Sequence, residues 1–462
     1  MDATTNAPAV PVMDGLPPER RRWAVAAIFT ALAMSSLDTA IANIALPAIA
    51  ADLHVSPAEV VWVVNVYQIA LVATLLPLGA LGEIVGHQRM YLGGLLLFTL
   101  ASLGCACAWS LPSLLVARTL QGLGASGLMS VNAALVRFVY PTHMMGRGFG
   151  HNALVVGTAF TLGPTIASGI LAIGTWPWLF AINIPFGVIA MVIGLKTLPA
   201  TPRAAHRFDF PGAALAASCL GLFIGGISSA AHKASAALVS IELAGALLLG
   251  WILTRRQADH PAPMLPIDLF RRPIFALSAA TAVCSFAVQG LGFVSLPFYF
   301  EDILQRSQVE TGFFMTPWPL VVAIMAPLGG RLSDRYPVGI LGGIGLAILG
   351  VGMVLLATLP ATPSVANIVW RMVICGIGFG FFQTPNLRAL MASAPPHRSG
   401  SASSIVATAR LTGQTIGAAL AALCFSLAGH EGATVALALG AGFSALGSLM
   451  SFLRLVVVPQ RT

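Results

Sequence analysis

Residues 37 to 47 read LDTAIANIALP, which sets a carboxylate, Asp38, inside a stretch that is otherwise apolar from Trp23 to Ala50. Whether that acid is a structural oddity or a working part depends on what surrounds it. The chain has 462 residues, of which 57% are hydrophobic and 9% charged; soluble chains carry about a quarter charged residues. Water is therefore not its main solvent.

Apolar runs of bilayer-crossing length, about 17 to 25 residues, recur from end to end. Fourteen are read, at 24 to 50, 58 to 80, 90 to 110, 113 to 139, 149 to 173, 178 to 198, 210 to 231, 236 to 253, 274 to 300, 311 to 331, 339 to 359, 365 to 391, 402 to 428 and 433 to 453. A backbone in lipid must satisfy its own hydrogen bonds, and a barrel would show short alternating strands, so the runs are expected to be helices. The fold class is an all-α membrane protein, with the 47 glycines serving close helix packing. Residues 1 to 23 read as a tail ending in the basic stop Arg20, Arg21 and Arg22, without a cleavable signal site.

The net charge of +8 does not point to nucleic acid, because of where the charges fall. With a cytoplasmic N-terminus, nineteen of the 24 basic residues lie on that side and only Lys233 and Arg306 on the other. Arg118, Arg371 and Arg410 lie inside runs. This is the positive-inside bias, and it places both termini in the cytoplasm. The six cysteines sit in apolar runs without ligand spacing, as packing residues.

The sequence repeats. PLGALGEIVG at 77 to 86 recurs as PLGGRLSDRYP at 327 to 337, and LPAIAADL at 46 to 53 as LPFYFEDI at 296 to 303, both offset by 250. The domains expected are a six-helix half at 24–198, a linker at 199–273 holding two extra helices, and a second six-helix half at 274–462. Repeats of six spans around a midplane site describe a class of secondary transporter. Asp38 maps by the repeat onto Gln289, so the position is polar in both halves and ionisable in one.

These residues resemble a known family. LDTAIANIALPAIA, GALGEIVGHQRMYL, RTLQGLGAS, GTAFTLGPTIASG and WPWLFAINIPFG are similar to motifs of the major facilitator superfamily, and with fourteen runs the chain looks like its drug:proton antiporters of the EmrB/QacA type. It departs from the pattern at Glu83, where Asp is usual, at Ile84, His87 and Gln88, where basic residues are usual, and at Ala167 and Ser168, where a Gly pair is usual.

Asp38 is the one acid clearly in mid-span, where a charge costs at least about 2.5 kcal/mol. It is a proton carrier and cation-attracting group, or an aspartate held by hydrogen bonds as packing. A helical rise of about 1.5 Å per residue puts Asp38 and Arg118 at similar depth, so they can pair. That pair is either broken by a proton or static. Asn43 and Gln289 suit a wet cavity or a helix-to-helix hydrogen bond. Trp62, Trp318, Phe382 and Asn386 are candidate pocket residues for organic cations, or ordinary core and lipid-facing positions. Gly82, Glu83, Gly86 and Arg89, with Gly330, Asp334 and Arg335 in the copy, are expected to latch the cytoplasmic ends through ion pairs and helix dipoles. Gly163 and Pro164, beside Gly157 and Gly169, form a small-residue face with a kink. Arg410 is a gate residue or a snorkelling side chain.

No P-loop and no HExxH occurs, so ATP-driven pumping and zinc proteolysis are unsupported. The chain reads as no enzyme and needs no cofactor. Its partners are a small organic substrate, protons and the lipid bilayer, and it works as a monomer in a bacterial cytoplasmic membrane. The expected activity is proton-coupled multidrug efflux of amphipathic cationic or neutral compounds. The alternatives are a dedicated exporter of one metabolite and a transporter-like sensor.

Overall fold

The computed structural model describes residues 14–457 apart from 56, 61, 206, 232–234, 258–266, 307, 361, 396–397 and 429–430. Among these the helices are α1 (Pro18–Asp52), α2 (Trp62–Val85), α3 (His87–Ala106), α4 (Leu111–Val139), α5 (Met145–Ile173), α6 (Asn183–Thr197) and α7 (Phe210–Ala231). They continue with α8 (Ala236–Gln257), α9 (Pro273–Phe298), α10 (Pro317–Ser333), α11 (Val338–Ala357), α12 (Val365–Ser393), α13 (Ser399–Ala428) and α14 (Gly432–Val457). Shorter helical segments precede α2, α5, α6, α9 and α10, and another, Tyr299–Ile303, follows α9. Every apolar run of the sequence is thus helical. Eleven helical segments among the described residues are long and apolar enough to cross a membrane; α1, α5 and α13 are not among them.

The helices start where local chemistry favours it. Pro18 opens α1 at a position whose N–H has no helical partner in any case, and Glu19 in the first turn suits the helix dipole. The helix therefore begins inside the stretch expected as tail. Ser110 and Ser113 cap the start of α4 reciprocally.

Packing is decided by small residues. A Cβ on Gly124 of α4 would lie 2.5 Å from the Phe98 backbone nitrogen of α3, so these two helices touch backbone to backbone. Buried side chains gather in two main clusters. One holds Tyr91, Phe98, Leu135 and Phe149 and reaches Leu390 and Met391 of α12. The other holds Phe314, Trp318, Met353 and Phe379. In the most apolar stretch of α4, 83% of residues are buried, against 11% in α8, which puts α4 at the centre of the bundle and α8 at its rim. The pair α7 and α8 pack on each other, and α7 lies against α2 and α13.

Candidate functional site

Asp38 and Arg118 meet. Arg118 Nη1 lies 2.6 Å from Asp38 Oδ2, with both side chains sealed from solvent. Gln121, one turn after Arg118 and so on the same face of α4, donates from Nε2 to Asp38 Oδ1 at 2.8 Å and accepts from Arg118 Nη1 at 2.7 Å. Asn183 of α6 donates to the same Oδ1 at 3.3 Å, and Arg118 Nε donates to the Val63 carbonyl at 3.0 Å. The guanidinium stacks over the Tyr67 ring, 4.2 Å from its centre, with Phe180 at 5.4 Å. A charged carboxylate in such a place is held only by this set of donors. Arg118 Nη2 has no hydrogen-bond partner among the described residues.

A cavity of about 440 Å³ runs between α2, α5, α9, α12 and α13. Its apolar wall includes Leu71, Phe286, Phe293 and Phe379, and its polar side includes Asn65, Gln68, Gln289, Gln383, Arg410 and Gln414. Ile224 and Ile227 of α7 complete the wall, so α7 contributes directly to the cavity. Gln414 Nε2 donates to Gln289 Oε1 at 2.8 Å. A smaller cavity of about 80 Å³ adjoins it and holds Phe382 and Asn386; Arg410 lines both.

Several expected residues lie elsewhere. Asp38 does not line the cavity: α1 turns Ser36 and Thr39 toward it, and the helical step swings residue 38 onto α4 instead. Tyr67 stands with one face on Arg118 and another on the cavity. Trp62 is 50% exposed at the start of α2 and lines neither cavity. Trp318 is fully buried in the core, edge-on to Phe293 at 5.4 Å, one layer behind the wall. Asn386 Nδ2 donates to the Ser278 carbonyl at 3.0 Å. Asn43 and Pro164 are on α1 and α5, but their side chains lie outside the described residues. Gly163 is buried on α5.

At the end carrying the repeated loops, two acids cross between the first six helices and the last six. Glu83, 2% exposed at the end of α2, accepts from the Ser401 backbone N–H at 2.7 Å in the first turn of α13, with Arg398 Nη1 at 3.5 Å from its other oxygen. Asp334, after α10, accepts from the Gly146 N–H at 3.3 Å in the first turn of α5, with Arg388 at 3.4 Å. Each acid therefore faces a helix N-terminus and an arginine. The longer Glu83 reaches as Asp334 does. Arg89 and Arg335 are exposed and take no part; the arginines used are Arg398 and Arg388, distant in sequence. Gly82 is packed under Val131, Gly86 turns the chain at φ +97°, and a Cβ on Gly146 would run into the Gly330 carbonyl. Arg137 adds bonds to the Met391 and Ala394 carbonyls at 2.9 and 2.8 Å.

The comparisons with known proteins follow this geometry. A profile of the Major Facilitator Superfamily matches residues 28–418. The chain belongs to that superfamily. It is 47% identical over 444 residues to the uncharacterized transporter YebQ of Escherichia coli K12, covering 96% of this chain and 97% of that protein. It is 32% identical over 404 residues to the riboflavin transporter RibZ of Clostridioides difficile, 87% of each. A solved structure of the human organic anion transporter MFSD10 has a similar fold, with TM-score 0.69 and 16% identity over 94% of this chain and all of that one. The protein is accordingly a multi-pass membrane transporter of small molecules with the all-helical major facilitator fold, and no enzyme.

Proposed function

We propose that the chain is a proton-coupled exporter of amphipathic organic compounds, a monomeric antiporter of the fourteen-span EmrB/QacA type in a bacterial cytoplasmic membrane. In this reading the halves 24–198 and 274–462 rock about the cavity, the insert 199–273 packs at its side, and both termini are cytoplasmic. The observation that carries it is the Asp38–Arg118 pair, closed off by Gln121, Asn183 and Tyr67.

A proton on Asp38 cancels the charge that balances Arg118, whose side chain has no solvent exposure. Losing one partner of a buried pair costs about 3–5 kcal/mol. By the rule of about 1.4 kcal/mol per tenfold, that is roughly two to three and a half powers of ten in a conformational equilibrium. Relief comes from moving α4 or α2, and Tyr67 passes that movement to the cavity wall.

The end bearing Glu83 and Asp334 is held together by these contacts, and the positive-inside bias supports reading it as the cytoplasmic one. The cavity lies in the other part of the bundle, among residues such as Asn65 near the start of α2 and Phe293 near the end of α9. In this reading the conformation is outward-facing, with the ion pair formed and no carboxylate among the described lining residues. The test is ligand-dependent proton flux in proteoliposomes carrying an internal pH dye. A transported compound added outside enters in exchange for protons leaving, so the interior becomes more alkaline; flux of the compound without any pH change sinks the antiport reading.

A further inference from the structure

We propose that the cavity selects amphipathic organic anions, and that Arg410 is the residue that reads the anionic group. The inference rests on the central cavity being the transport site, as proposed above, and it reverses the charge preference that Asp38 alone suggests. The described lining residues include no Asp or Glu, while Arg410 is their only formally charged member. Asp38 is already matched by Arg118, which stacks on Tyr67.

Arg410 is not engaged by a carboxylate. Its guanidinium makes one weak contact, Nη2 to the Met129 sulfur at 3.5 Å, and forms no salt bridge among the described residues. A guanidinium offers five donors in a planar fork that fits two oxygens of a carboxylate, sulfonate or phosphate. One sulfur neighbour leaves most of that fork available. Around it stand carboxamides. Gln414 lies one turn further along α13 and is already bonded to Gln289. Gln383 carries an Oε1 that is buried and has no partner among the described residues, although it borders both cavities beside Arg410. An amide oxygen facing an anion is unfavourable, and rotation of the Gln383 amide puts its NH₂ there instead. The site then holds one cation and several neutral donors and no competing acid.

The rest of the cavity fits the apolar part of such a ligand. Phe286, Phe293 and Phe379 line one side and Ile224 and Ile227 of the inserted helix close another. The volume of about 440 Å³ lies in the range of about 300–1,000 Å³ found for small-molecule sites. A flat aromatic body with an anionic oxygen group at one edge satisfies both ends.

The test uses the purified full chain in nanodiscs and two dyes with one xanthene scaffold, fluorescein as anion and rhodamine 6G as cation, with empty nanodiscs subtracted. Equilibrium binding is read by fluorescence anisotropy. Wild type is expected to bind fluorescein more tightly than rhodamine 6G. Loss of a charge-assisted bond in Arg410→Gln weakens fluorescein by about tenfold to a hundredfold, with rhodamine 6G unchanged or tighter, and Arg410→Lys restores part of the preference. Tighter rhodamine binding in wild type, no saturable fluorescein binding, or equal weakening of both dyes in Arg410→Gln overturns the proposal. Equal thermal melting of the variants separates lost recognition from lost fold. Binding needs no proton gradient, so if this pattern holds while pH-driven transport is absent, the antiport reading alone fails.

Discussion

Replacement of Glu83 by Ala tests how the closed end is held. Glu83 is 2% exposed, and its contacts across the bundle include the 2.7 Å bond from the Ser401 N–H and the 3.5 Å approach of Arg398. A hydrogen bond to a charged group is worth about 1.5–3 kcal/mol. The substitution also deprives Arg398, itself only 7% exposed, of this carboxylate. Taking about 2 kcal/mol as the loss confined to the closed state, the ratio of closed to open molecules falls about thirtyfold. Spin labels at Arg89 and Arg335, both exposed at this end, report the change by electron–electron distance measurement. The six native cysteines are replaced first. Wild type is expected to give mainly the short separation, Glu83→Ala a large added population at longer separation, and Glu83→Gln, which keeps an acceptor and loses the charge, a distribution between them. If Glu83→Ala in lipid gives the wild-type distribution, the contact is a passive neighbour and the reasoning about the latch is wrong.

Filling the wall contributed by α7 gives a second check: Ile227→Trp should raise the half-saturating concentration for bulky ligands more than for small ones, and an unchanged series would separate α7 from the transport site. At the exposed N-terminal strap, Asp14 Oδ1 accepts from the Thr142 hydroxyl at 2.7 Å and from its N–H at 2.9 Å. The hydroxyl bond above all, then the N–H bond, holds the Asp14 carboxyl below its usual range. A depressed folded value contributes stability above the unfolded value of about 3.9 and loses it as pH falls through the folded one. Protection of the Leu16 amide, bonded to the Val139 carbonyl at 3.1 Å, should therefore drop below about pH 4 in wild type and show no such step in Asp14→Asn. A pH-independent wild-type protection contradicts this.

The parts of the site legible in the sequence were those that chemistry makes costly. Asp38, Arg118 and Arg410 stand out because charge in an apolar run demands a partner or a cavity, and helical rise alone put the first two at one depth. Glu83 and Asp334 stood out by repetition. Neutral donors gave a fainter signal: Gln121 was recoverable from its spacing to Arg118, whereas Asn183 sits in a motif that says nothing of its direction. Aromatics misled most, since Trp62 and Trp318 have the same composition value whether they face lipid, core or cavity. The cavity-facing side of α1 was not readable either, because Ser36, Asp38 and Thr39 are all polar and only packing against α4 decides which turns inward. The sequence marks α7 and α8 as surplus to the repeat, but the seat of α7 against α2 and α13 depends on surfaces that those helices leave open.

The measurement that bears most directly on the coupling is counterflow and pH-gradient-driven transport, run side by side in proteoliposomes for wild type and Asp38→Asn. The asparagine keeps the shape and can still accept from Gln121, but it cannot release a proton. The account predicts that counterflow, which needs only alternating access, persists in Asp38→Asn while uphill accumulation driven by the pH gradient is lost. Uphill transport at wild-type level by Asp38→Asn would contradict it.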